Sequence, residues 1–86
     1  MKIINNLKFK DSRDKAFADM QVSLFIDRFI RGDNIKYVEI DKNDIRIFNS
    51  VNGGFRCFNR NLTTNTAQEM LSYIVGMNEG YNYLNQ

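Results

Sequence analysis

The sequence predicts an α+β domain with its elements in the order αβββα. Three observations carry that prediction. Two long segments carry apolar residues at three- and four-residue spacing, as on one side of a helix. Between them lie three short stretches rich in β-branched and aromatic residues. The links between those stretches are short enough for hairpins, so the sheet is three-stranded and antiparallel.

Residues 1–10 leave two readings open. Leu7-Lys8-Phe9-Lys10 alternates apolar and charged residues, as a short extra N-terminal strand would, or the segment is an extended arm. The first helix is expected over 12–31. Asp11 or Ser12 caps its first amides, and Asp14 in the first turn suits the helix dipole. Phe17, Met20 and Leu24, with Val22, Phe25 and Phe29, form its apolar stripe, and Asp19, Ser23 and Asp27 mark the wet side. Arg31-Gly32 supplies the stop, because glycine accepts the left-handed conformation after a helix.

Strands are expected over 35–41, 45–51 and 55–60. A two-residue loop at Lys42-Asn43 sets Ile40 opposite Ile45, Val38 opposite Ile47, Glu39 opposite Arg46 and Tyr37 opposite Phe48. A three-residue loop, Asn52-Gly53-Gly54, sets Val51 opposite Phe55, Phe48 opposite Phe58 and Arg46 opposite Arg60, with Gly54 in the left-handed position. A two-residue loop would place Phe48 across Cys57 and Ile47 across Phe58, which mixes the faces. The second helix is expected over 65–84, capped by Asn65 or Thr66, with Thr66 and Glu69 as a capping box. Its stripe is Ala67, Met70, Leu71, Ile74, Met77 and Tyr81. Gly76 and Gly80 weaken its last turns by about 1 kcal/mol each relative to alanine. Their spacing fits either fraying or the close approach of another backbone.

In that register one sheet face holds Val38, Ile40, Ile45, Ile47, Val51, Phe55 and Cys57, and is core. The other holds Tyr37, Phe48 and Phe58 in a row, with Arg46, Arg56, Arg60 and Glu39 around them. Rings framed by arginines suit single-stranded nucleic acid: bases stack for about 1–3 kcal/mol each, and guanidinium groups meet phosphates. Arg46 opposite Arg60 costs a few tenths of a kcal/mol unless an anion lies between them. Two other readings stand beside this one: the second helix covers the row, or two copies bury it between their sheets. Lys8 and Lys10 either extend a phosphate-binding surface or belong to a solvated segment.

Composition narrows the function. Eighty-six residues fit one domain, and 43% apolar with 26% charged residues is a globular balance. Without histidine the commonest general base and zinc ligand are missing. The single cysteine, Cys57, falls on the expected core face as an inert thiol, and a lone cysteine fits a reducing, cytoplasmic compartment. Asp33, Asp41 and Asp44 near the first turn lack calcium-loop spacing. No apolar run is long enough to span a membrane, and polar residues interrupt Met1-Lys2-Ile3-Ile4-Asn5-Asn6 too early for a signal peptide. The expectation is a non-enzymatic protein with no catalytic residue, no metal and no cofactor. It binds RNA or an RNA–protein complex through Tyr37, Phe48, Phe58, Arg46, Arg56, Arg60, Lys8 and Lys10. The alternative is a protein-binding inhibitor or adaptor, open to being a homodimer, that acts on a host protein through the same aromatic surface without nucleic acid.

Met1-Lys2-Ile3-Ile4-Asn5-Asn6 and Arg56-Cys57-Phe58-Asn59-Arg60, in a short chain, carry a family resemblance. The chain resembles the small accessory and counter-defence proteins of T-even-type phages, and is similar to a phage RNA-binding inhibitor of a toxin–antitoxin endoribonuclease. The resemblance implies binding of RNA, or of an RNA–protein complex, to block a host system in the host cytoplasm. It transfers no functional residue.

Overall fold

A computed structural model describes residues 2–32, 34–49, 54–58 and 63–84. Its elements are β1 (Lys2–Asn5), α1 (Ser12–Phe29), β2 (Ile35–Ile40), β3 (Ile45–Asn49), β4 (Phe55–Cys57) and α2 (Ala67–Leu84). They form an α+β fold with one mixed sheet in the order β1-β2-β3-β4.

The extra N-terminal strand exists, but at Lys2–Asn5, and it runs parallel to β2. A parallel pair needs a long crossover, and α1 supplies it. Pairing ends where the Asn6 amide donates to the Ile40 carbonyl at 2.8 Å. The Asn5 side-chain oxygen then accepts from the Leu7 amide at 3.0 Å, a local turn that lifts the chain off the sheet. Leu7 is buried and Phe9 packs against the core. The alternation over 7–10 therefore reflects burial and not strand pairing.

Helix α1 starts as expected, with Asp11 Oδ1 accepting from the Arg13 amide at 2.7 Å. It stops at Phe29 because Ile30 turns extended at φ −117°, and Gly32 does not take the left-handed conformation. Its buried residues are Ala18, Val22, Phe25 and Ile26. Phe17 and Met20 are 43% and 56% exposed, because two apolar stripes overlap on this helix and the sheet covers one of them. In α2 the capping box forms: Thr66 Oγ1 accepts from the Glu69 amide at 3.1 Å and donates to Glu69 Oε1 at 3.2 Å. The helix continues through Gly76 and Gly80 to Leu84.

The helices meet around a buried polar group. Asn78 Nδ2 donates to the Gln21 carbonyl at 3.0 Å and to Gln21 Oε1 at 2.8 Å. Arg28 donates to the Asn78 carbonyl at 2.9 Å, and its guanidinium lies 4.7 Å from the centre of the Tyr81 ring. Val22, Phe25, Ile26 and Ile30 of the α1 region and Met70 and Ile74 of α2 share one core with Val38, Ile40, Ile45 and Ile47. Both helices therefore lie on the same sheet face. Among the described residues, the opposite face carries no helix.

Candidate functional site

The first hairpin has the expected register, with Ile40 opposite Ile45, Val38 opposite Ile47, Glu39 opposite Arg46 and Tyr37 opposite Phe48. The Asp41 amide closes it on the Asp44 carbonyl at 2.9 Å. A register shift between Ile35 and Tyr37 inserts Lys36 as an extra residue. The bulge lets Ile35 pack against the core although Tyr37, two positions later, lies on the other face.

The second hairpin differs from its expected register. Phe48 faces Phe55, Ile47 faces Arg56 and Arg46 faces Cys57, and the Asn49 amide donates to the Gly54 carbonyl at 2.9 Å. The offset is odd, so every β4 side chain changes face. Phe58 is not on the open face: it packs against the core, edge-on to Phe25 at 5.2 Å. Burying even part of a phenylalanine contributes on the order of 1 kcal/mol, which outweighs a turn preference of a few tenths. Cys57 is exposed and stands across from Arg46, so the buried thiol expected there is corrected. Phe55 moves to the open face, and Arg56 to the helix side, where no helix covers the edge strand and it remains exposed. Arg60, and with it the Arg46–Arg60 pairing, lies outside the described residues, as do Val51, Asn52, Gly53 and Asp33.

The open face therefore carries a row of Lys2, Tyr37, Phe48 and Phe55, one residue from each strand. Tyr37 and Phe48 stack with centroids 4.2 Å apart and planes at 15°. Phe48 and Phe55 follow at 5.3 Å and 34°. Tyr37 and Phe48 are half-buried by this stacking, while Phe55 is 58% exposed. Each interior ring face is thus occupied by its neighbour.

The next row is Ile4, Glu39, Arg46 and Cys57. Arg46 sits in a carboxylate cage: Glu39 Oε1 at 2.6 Å, Asp41 Oδ2 at 3.1 Å and Asp44 Oδ1 at 3.5 Å. Asn6 Nδ2 adds a bond to Glu39 Oε1 at 3.1 Å. The turn acids Asp41 and Asp44 are therefore engaged with a cation, and Arg46 is engaged rather than held out for phosphate. Three carboxylates surround one guanidinium, a surplus of two negative charges, so this end of the face is acidic.

Lys8 and Lys10 are exposed. Lys8 borders a groove of about 620 Å³ with Asp41 and Lys42 near the start of α2, at the Ile40 end of the sheet and away from the aromatic row. Of the residues expected to bind, the structure brings together Tyr37 and Phe48 and keeps Arg46 beside them; it places Phe58, Arg56, Lys8 and Lys10 elsewhere. Phe55 is the member of the row that the sequence assigned to the core. Its signal was the Phe55-x-Cys57 alternation itself, which fits either face.

These features define a two-layer α+β domain whose sheet leaves one aromatic face open. No family model, curated protein or solved structure matches this chain. Among the described residues, no helix is long and apolar enough to cross a membrane.

Proposed function

We propose that this chain is a non-enzymatic binding domain that docks a protein partner on the helix-free face of its sheet. The observation that carries this reading is the Tyr37–Phe48–Phe55 row, with Phe55 58% exposed at its end and the caged Arg46 beside it. Aromatic side chains anchor protein interfaces because they bury large area at little entropic cost. The acidic surplus of Glu39, Asp41 and Asp44 over Arg46 suits a partner that brings a cationic side chain. The same face has less support as a base-stacking platform, since the rings stack on each other and the adjacent guanidinium is held among three carboxylates. The likeness to phage counter-defence proteins supports a host defence or toxin–antitoxin protein as the partner.

The test is affinity purification with the intact domain and with Phe55→Asp, followed by reassembly with the purified partner. Direct binding that falls by about tenfold or more in Phe55→Asp, with a shallow salt dependence, supports the reading. Unchanged binding overturns it. Light scattering that shows a dimer dispersed by Phe55→Asp would make the partner a second copy of this chain.

A further inference from the structure

We infer that a second site, on the helix side of the sheet, binds the phosphate of a nucleotide. This goes beyond the docking face and does not depend on it. A cleft of about 330 Å³ opens where α1 has ended, over the β2–β3–β4 end of the sheet. That volume lies at the lower end of the usual small-molecule range of about 300–1,000 Å³. Its floor is Ile35 and Ile47. The β2 bulge is what turns Ile35 to this side.

Arg31 and Arg56 line the cleft, and none of its other lining residues is charged; Asp33, between the lining residues Gly32 and Asn34, lies outside the described residues. Arg56 reaches this side through its register opposite Ile47 on the edge strand. Its side chain has no hydrogen bond or ion pair among the described residues. Arg31 Nε donates to the Asp27 carbonyl at 3.2 Å. That bond caps the negative end of α1, which would otherwise repel an anion. It also leaves the two terminal nitrogens of Arg31 without a partner among the described residues. Arginine is the natural ligand for phosphate oxygens, because its planar fork donates two parallel bonds. An apolar floor beside two arginines suits a phosphate ester that also carries a flat, weakly polar group, which is the chemistry of a nucleotide. Free mononucleotides and single-stranded RNA share that chemistry.

Backbone amide shifts in the ¹⁵N-labelled full chain test this. The probes are adenosine monophosphate, adenosine, inorganic phosphate and a short single-stranded oligoadenylate. The expected result is saturable shifts at Gly32, Ile35, Ile47 and Arg56 with adenosine monophosphate, with the oligonucleotide, or with both. Response to the mononucleotide alone assigns a free nucleotide, and response to the oligonucleotide alone assigns a strand. Adenosine should give no saturable shift. Arg56→Gln and Arg31→Gln should each weaken binding by about tenfold or more, the scale of a charge-assisted hydrogen bond. Lys8→Gln, at the other end of the sheet, should leave it unchanged. Both arginines are exposed, so the variants retain the fold, and their spectra verify this in the same experiment. The inference is overturned if neither nucleotide probe binds, if the shifts map outside the cleft, if the double variant binds as the parent does, or if inorganic phosphate binds as tightly as the mononucleotide.

Discussion

Tyr37 and Phe48 stack across β2 and β3 with their planes only 15° apart, on the sheet face that neither helix covers. Aromatic pairs directly opposite each other on neighbouring strands gain about 0.5–1.5 kcal/mol beyond the area they bury. A double-mutant cycle with Tyr37→Ala and Phe48→Ala, followed by urea unfolding, should give a coupling energy of that size. Phe55→Ala should change stability by less than Phe48→Ala, because Phe55 is 58% exposed and has one ring neighbour. Equal costs for the two would show that the row is not a stacked ladder.

The first hairpin was legible because its short loop leaves one register in which both faces agree: Val38 and Ile40 meet Ile47 and Ile45, and Glu39 meets Arg46. The second was not. Glycine preference at Asn52-Gly53-Gly54 pointed to a three-residue loop, whereas the ladder closes between Asn49 and Gly54. What decides that register is a contact 33 residues away in sequence, Phe58 against Phe25, and nothing local announces it. The same holds for β1, whose parallel partner lies beyond an entire helix. The candidate site inherits the split. Tyr37 and Phe48, read from the first hairpin, share the open face, whereas Phe58 and Arg56, read from the second, do not.

Arg46 holds three carboxylates together, and removing it leaves them facing one another. The pair with Glu39 is roughly three-quarters buried, with side chains 27% and 22% exposed. Arg46→Gln should therefore cost about 1–2 kcal/mol at low salt, more than a fully exposed pair would. Added salt should shrink the deficit by screening the repulsion among the acids. A deficit that grows with salt in guanidinium-free urea melts would contradict the cage.

Asp19 ties α1 to β1 and should set part of the pH dependence. Its carboxyl is held below the ordinary value of 3.8, chiefly by the hydrogen bond from Lys15 and further by that from Asn5, against an opposing effect of burial. The bonds measure 3.1 Å and 2.7 Å. A depressed folded pKa means stability that is fully present above the unfolded value and is lost as pH falls through the folded one. The contribution is small, because Asp19 is 47% exposed and screened by solvent. Carboxyl carbon shifts followed by NMR should show Asp19 titrating below 3.8, and Asn5→Ala should move it upward. A titration at or above the ordinary value in the parent chain would remove the link.

Gly76 and Gly80 lie inside α2, yet a Cβ added at either meets nothing within 4 Å. Among the described residues, no neighbouring backbone needs the missing side chains. Gly76→Ala and Gly80→Ala should each stabilise the domain by about 0.5–1 kcal/mol, Gly80 by less because it is nearer the helix end. For a domain of this size that is roughly 2–8 °C in Tm. A loss of stability in a monomer would place an unseen contact on this face.

Asn78 is 3% exposed, and its two donated bonds to Gln21 join α2 to α1 while its own Oδ1 has no partner among the described residues. A buried amide that donates well but leaves an acceptor unpaired gives back much of what its bonds contribute. Asn78→Ala should cost about 1–3 kcal/mol, from the lost bonds and the cavity together. Asn78→Leu fills the same space without the orphan oxygen and should recover most of that loss. Its cost would appear instead as helix pairing that is less tightly defined, read as faster amide exchange around Gln21 and Arg28. If Asn78→Leu were as unstable as Asn78→Ala, the hydrogen bonds themselves, and not the filling of space, would hold the helices together.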